Sequence, residues 1–184
     1  MRPGIWEPAI ELDAEEVKLC RRLRRGKLFV FLRERRHELF DEAFQRELGG
    51  YYKESPRGRP PVYPAQLALA TVLQAYLGLS DDATIEALTT DRRWEMVLDC
   101  RDSEHGPFSK GTLVGFRKWL IENDLDRRLI ERTIEVATER GGFGASRLRV
   151  ALDSSPLIGA GRVEDSYNLM GHALQKVLGV IARQ

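Results

Sequence analysis

The sequence is short of most features that would mark a secreted, membrane or metal-stapled protein. It has two cysteines in 184 residues. Cys20 and Cys100 lie far apart, so no disulfide framework is expected and a reducing cytoplasm is the expected compartment. It has three histidines. His37, His105 and His172 share no ligand spacing with either cysteine, which speaks against a zinc site. Its longest largely apolar stretch, Leu67–Leu73, falls well short of the roughly 20 residues of a membrane span. The opening residues, Met1 to Glu7, lead straight into acidic sequence, unlike a signal peptide. Net charge is nearly absent, with 29 Lys+Arg against 28 Asp+Glu. That balance argues against a simple basic coat protein for nucleic acid, but not against a local basic patch. Apolar residues are not scarce: 42% apolar and 31% charged exclude disorder as the main state. A chain this long can bury roughly 70% of its unfolded surface without a staple.

The charge is unevenly placed. Thirteen Lys and Arg stand against six Asp and Glu between Lys18 and Arg59, so this stretch is basic and the rest is acidic overall. Helical patterns fill the first three quarters. Asp13 can cap a helix with Val17, Cys20 and Leu23 on its apolar side, ending near Gly26. Leu28, Phe29 and Leu32 begin a periodic run that Phe40, Ala43, Phe44 and Leu48 continue, until Gly49-Gly50 stops it. Residues 51–64 hold four prolines and read as an extended connector. Ala65 to Leu77 is a Leu- and Ala-rich helix, predicted to be buried on most sides. Gly78 ends it, and Ser80 caps the next, with Asp81 and Asp82 facing the helix dipole. Asp91 opens a short segment with Arg92, Arg93 and Trp94. Ser109 caps a helix whose inner face is Leu113, Phe116 and Leu120, and a last amphipathic helix runs from about Leu125 to Arg140.

The pattern then changes. Arg147-Leu148-Arg149-Val150-Ala151-Leu152-Asp153 alternates with period two, a strand signature. Ser154-Ser155-Pro156 breaks it, and a glycine-containing loop leads to a final helical pattern from Leu169 to Ile181. These residues divide the chain into a helical module, 1–145, and the start of a mixed α/β module, 146–184.

Four groups of residues could carry chemistry. Asp153 ends a strand just before a break, where open α/β sheets place functional groups; an Asp-Ser-Ser-Pro turn has the same composition. The Ser109-capped helix leaves Lys110, Thr112, Arg117 and Lys118 outside, as in a recognition helix whose cations meet phosphates or guanine edges. An amphipathic helix with a solvated basic face has the same pattern. The earlier helix pair, Ala65 to Thr90, has a helix-turn-helix outline too, but Asp81-Asp82 would repel phosphate, which favours a scaffold role. Pro56-Arg57-Gly58-Arg59-Pro60 has the composition of a minor-groove arm, with Arg57 and Arg59 suited to a narrow A·T groove, or of a helix-entry linker. The pairs Arg21-Arg22, Arg24-Arg25 and Arg35-Arg36 read as solvated helix faces that can add salt-dependent affinity. Trp94 and Trp119 read as core.

The run from Leu152 to Leu174, Leu-Asp-Ser-Ser-Pro-Leu-Ile-Gly-Ala-Gly-Arg-Val-Glu-Asp-Ser-Tyr-Asn-Leu-Met-Gly-His-Ala-Leu, strongly resembles the DDE transposases of bacterial insertion sequences. Arg57-Gly58-Arg59-Pro60-Pro61, Ser80-Asp81-Asp82, Asp91-Arg92-Arg93-Trp94 and Phe108 to Arg117 resemble the N-terminal module of that family. The resemblance covers roughly residues 20 to 184 and implies a mainly α fold, with helix-turn-helix-like elements followed by the first strand and helix of an incomplete ribonuclease H-like domain. In such domains two aspartates and a glutamate hold two divalent ions, usually Mg²⁺, that stabilise charge on the attacking and leaving oxygens. The resemblance makes Asp153 the first of these catalytic, metal-binding carboxylates. The second aspartate and the glutamate would lie beyond residue 184, so the chain alone is expected to be an inactive, truncated or split enzyme.

The implied partner is double-stranded DNA, the terminal inverted repeats of an element, in the bacterial cytoplasm at the nucleoid. No membrane is implied. A different reading makes the chain a helical interaction protein that forms a homo-oligomer, or joins a full-length or split transposase partner. A third makes Asp153 a phosphohydrolase nucleophile, although no second acid follows at the short spacing such sites use.

Overall fold

Five of the described helices begin behind an Asp or Ser whose side chain takes a free backbone amide. In the computed structural model, residues 3–23, 26–52, 61–101, 103 and 105–139 are described. Among them are eight α-helices, one short 3-10 turn and no strand. The strand expected at 147–153 lies outside the described residues.

Helix α1 (Ala14–Arg22) opens with a reciprocal cap. The Asp13 carboxylate accepts from the amides of Glu15 and Glu16, both at 2.8 Å, while the Glu16 carboxylate accepts from the Asp13 amide at 3.1 Å. Helix α2 (Lys27–Leu39) ends at Phe40, and α3 (Glu42–Leu48) starts at once behind an Asp41 cap. The periodicity from Leu28 to Leu48 therefore covers two helices rather than one. The break is local: Asp41 is extended and its carboxylate takes the Phe44 amide at 2.9 Å. Leu39, Phe40, Phe44 and Leu48 still all reach the core.

Helix α4 (Pro64–Leu77) starts with Pro64 in its first turn, where a missing N–H costs nothing. Every residue from Pro64 to Ala75 is buried, as the absence of charge in that stretch requires. It ends at Gly78, whose φ of 64° is left-handed and suits glycine. Ser80 caps α5 (Asp81–Thr90), and Asp91 caps α6 (Arg92–Leu98). Ser109 caps α7 (Lys110–Glu122), and α8 (Leu125–Glu139) follows.

Helix α4 is central, packed against α3, α5, α6 and α7. Helix α2 lies on α6 and α8, and α7 lies on α5 and α8. Trp94, Phe29 and Phe116 are fully buried where these helices meet.

Two arginines are part of this interior. Arg33 and Arg36, one turn apart on α2, are each 1% exposed. Arg33 donates to Glu16 through Nε at 2.8 Å and Nη2 at 2.7 Å, and to the carbonyls of Ile10 and Glu11. Arg36 donates to the carbonyls of Met96 and Val97, both at 3.0 Å, closing the last turn of α6. It also holds the Ala9 carbonyl and Asp99, and its guanidinium lies over the Trp6 ring. The solvated reading of the Arg35-Arg36 pair is thus corrected at Arg36; Arg35 stays at the surface on Glu38. The stretch before α1 becomes a strap over α2, fixed further by Gln45, which bonds both backbone groups of Trp6.

Candidate nucleic-acid interface

Helix α7 sits where the sequence places it, with Leu113, Phe116 and Leu120 inward and almost fully buried. Its outward line is Gly111, Val114, Lys118 and Ile121, all exposed. Lys118 is 77% exposed, with Glu122 3.7 Å away. Thr112 is half-buried, and its hydroxyl lies 3.0 Å from that of the Ser109 cap.

The other two cations of α7 face α5. Arg117 grips Asp81 with both terminal nitrogens and donates to the Gln74 side chain at 2.8 Å. It is 16% exposed. Lys110 donates to both oxygens of Asp82, at 2.7 and 2.8 Å. The Asp81-Asp82 pair that would repel phosphate is therefore countered by the cations of α7. Hydrogen bonding from Arg117 holds the Asp81 carboxyl below its ordinary range despite partial burial. Neither pairing could be read from helical periodicity, because each joins residues some 30 positions apart.

The connections around these helices differ in length. Helices α4 and α5 are joined by the short turn Gly78–Ser80, as in a helix-turn-helix, whereas α7 is reached from α6 through the long connection Asp99–Ser109. Trp94 is buried in the core. Trp119 is half-buried against Tyr51, ring centres 5.7 Å apart, rather than open to a base.

A sequence model of a transposase domain (DUF772) matches residues 21–119, more than half of the chain. The chain belongs to this transposase domain family. No curated protein and no solved structure gives a match.

The transposase domain match begins inside α1 and ends inside α7, yet the packed body runs wider. The strap, the Asp13 cap and Glu16 precede the match, and α8 follows it. Of the residues expected to act on DNA, Lys110, Thr112, Arg117 and Lys118 share α7, while Arg57 and Arg59 lie outside the described residues. So does Asp153, together with the boundary near residue 145. Among the described residues no three His, Cys, Asp or Glu side chains are placed to hold a metal ion. Nor is any described helix long and apolar enough to cross a membrane. Burial pushes the Cys100 thiol up to about 12, which leaves it unreactive at neutral pH.

Proposed function

We propose that this transposase-family chain binds the terminal inverted repeats of a bacterial insertion element, with α7 presented to duplex DNA. The observation that supports this most is family membership over residues 21–119. Helix α7 is the element best suited to the task. It is anchored by Arg117 on Asp81, and its outer line offers Lys118 between two apolar side chains, Val114 and Ile121. An exposed Lys110–Asp82 pair contributes only about 0–1 kcal/mol, so Lys110 can exchange Asp82 for a phosphate. Thr112 can serve either a phosphate or a base edge. Arg57 and Arg59 would add a minor-groove arm.

In this reading residues 1–145 are the DNA-binding module, and 146–184 open a ribonuclease H-like domain. Asp153 would be the first of three carboxylates around Mg²⁺, the ion that neutralises charge at the scissile phosphate. The DNA-binding claim is tested by titrating labelled element ends with the full chain and with Lys118→Gln. The variant is expected to bind more weakly and to lower the salt slope by about 0.9. Unchanged affinity and slope would remove α7 from the interface.

A second reading, a helical protein that oligomerises, is favoured by one observation. Val114 and Ile121 stand 39% and 36% exposed on the same line of α7. Light scattering should then show a dimer that Val114→Glu dissociates; a wild-type monomer would exclude it.

A further inference from the structure

The exposed cations of this domain are mostly spoken for. Arg46 lies on Glu42, Arg92 on Glu15, Lys110 on Asp82, Arg127 on Glu131 and Arg128 on Glu47. The last half of α1 differs. Lys18, Arg21 and Arg22 occupy positions i, i+3 and i+4, and all three are exposed. None of the three forms an ion pair among the described residues. They share one face within about a turn, with Cβ atoms roughly 5–6 Å apart. Lys18 and Arg22 also line a cleft of about 130 Å³ between α1 and α6, together with Arg92 and Arg101. The two acids in that cleft are already engaged: Glu16 is held by Arg33, and Glu15 lies 3.0 Å from Arg92. The cations of that cleft without a carboxylate partner among the described residues are Lys18 and Arg22, on side chains long enough to reach successive phosphates spaced about 3.4 Å along a strand axis.

We propose that Lys18, Arg21 and Arg22 form a second DNA surface, one that holds the phosphate backbone of duplex DNA without reading its sequence. The inference rests on the reading of the chain as a duplex-DNA binder and adds a surface on α1, whose Glu16 and Cys20 side chains meet α2 and α6, whereas α7 packs on α4, α5 and α8. Backbone contact through released counterions gives a slope of log K against log salt of about −0.9 per neutralised phosphate. Three such contacts add about 2.7 to the slope, and so about 40-fold to the affinity lost between 50 and 200 mM salt.

The test uses the full 184-residue chain, an unrelated duplex and an element end, each titrated across that salt range. Lys18→Gln/Arg21→Gln/Arg22→Gln is expected to flatten the slope on both duplexes by about 2.7 and to leave the ratio of end to unrelated affinity unchanged. Arg21→Lys/Arg22→Lys is expected to keep the wild-type slope. Arg46→Gln/Arg127→Gln/Arg128→Gln removes as much charge from paired cations and is expected to flatten it far less. A triple α1 variant with the wild-type slope overturns this surface while the preference for ends still supports the α7 reading. Equal flattening by the two triple variants also overturns it, since net charge alone would then be acting. A wild-type chain that binds neither duplex overturns both.

Discussion

Arg33 and Arg36 tie the strap, α1, α2 and α6 into one interior. Removing one member of a buried pair leaves the other charged and unsolvated, which costs about 3–5 kcal/mol. Arg33→Ala is therefore expected to lower urea-unfolding stability by about that amount, and Glu16→Ala by a similar one. The double variant should lose less than the sum, because no orphan charge remains; full additivity would mean that the pair is not coupled. Burial pushes the Arg36 guanidinium down to about 10, still charged at neutral pH. Carboxylates set the acid limit. Hydrogen bonding from Arg101 holds Asp13 at about 2 against its ordinary 3.8. Burial raises Glu16, but Arg33 and the Asp13 amide bring it to a net value below the ordinary range. Groups depressed in the folded state stabilise it above their unfolded pKa, and that stability is lost as pH falls through the folded value. For Asp13 the loss runs from about pH 4 down to about 2. Denaturant midpoints measured over this window should fall steadily, and less so in Asp13→Asn.

At the scale of elements, the sequence was most informative where the controlling interaction is local. The caps at Asp13, Ser80 and Ser109, the stop at Gly78 and the inner face of α7 were all legible, because residue types within about one turn decide each. The α2–α3 break was not, since the apolar period continues unbroken through Asp41. Arg36 could not be placed either, because its acceptors on α6 lie 60 and 61 residues away. The candidate site was legible only in part: the inner face of α7 and Lys118 outside it, but not the turn of Arg117 and Lys110 toward α5 or the half-burial of Thr112. The two glycines of α7 separate by packing. A Cβ at Gly111 has no atom closer than 4.0 Å, whereas one at Gly115 meets the Tyr51 hydroxyl at 3.0 Å. Gly111→Ala should stabilise by about 0.5 kcal/mol through a less flexible unfolded chain. Gly115→Ala should give no such gain, and equal thermal shifts would contradict the packing assigned to Tyr51.

For the whole molecule, the folding unit extends beyond the family match on both sides. An isolated segment 21–119 lacks Trp6, Glu16 and α8, leaving Arg33 without Glu16, Ile10 and Glu11, and Arg36 without Ala9 and the Trp6 ring. It is expected to unfold at much lower urea than 3–139, followed by circular dichroism; similar midpoints would mean that the strap and α8 are accessory. Catalysis is a separate matter. In the proposed reading Asp153 is one of three carboxylates around Mg²⁺ and cannot hold the ions by itself, so Mg²⁺-dependent nicking of element ends is not expected from residues 1–184 tested alone. Nicking that Asp153→Ala abolishes would show a metal site assembled some other way.

The function proposed for this chain is recognition of DNA ends. It is tested most directly by competing a labelled duplex, carrying the terminal repeats that flank the coding sequence, against unlabelled ends and unlabelled unrelated DNA at moderate salt. The expected result is saturable binding that weakens steeply with salt and is displaced by ends at far lower concentration than by unrelated duplex. Equal displacement by the two competitors would contradict it.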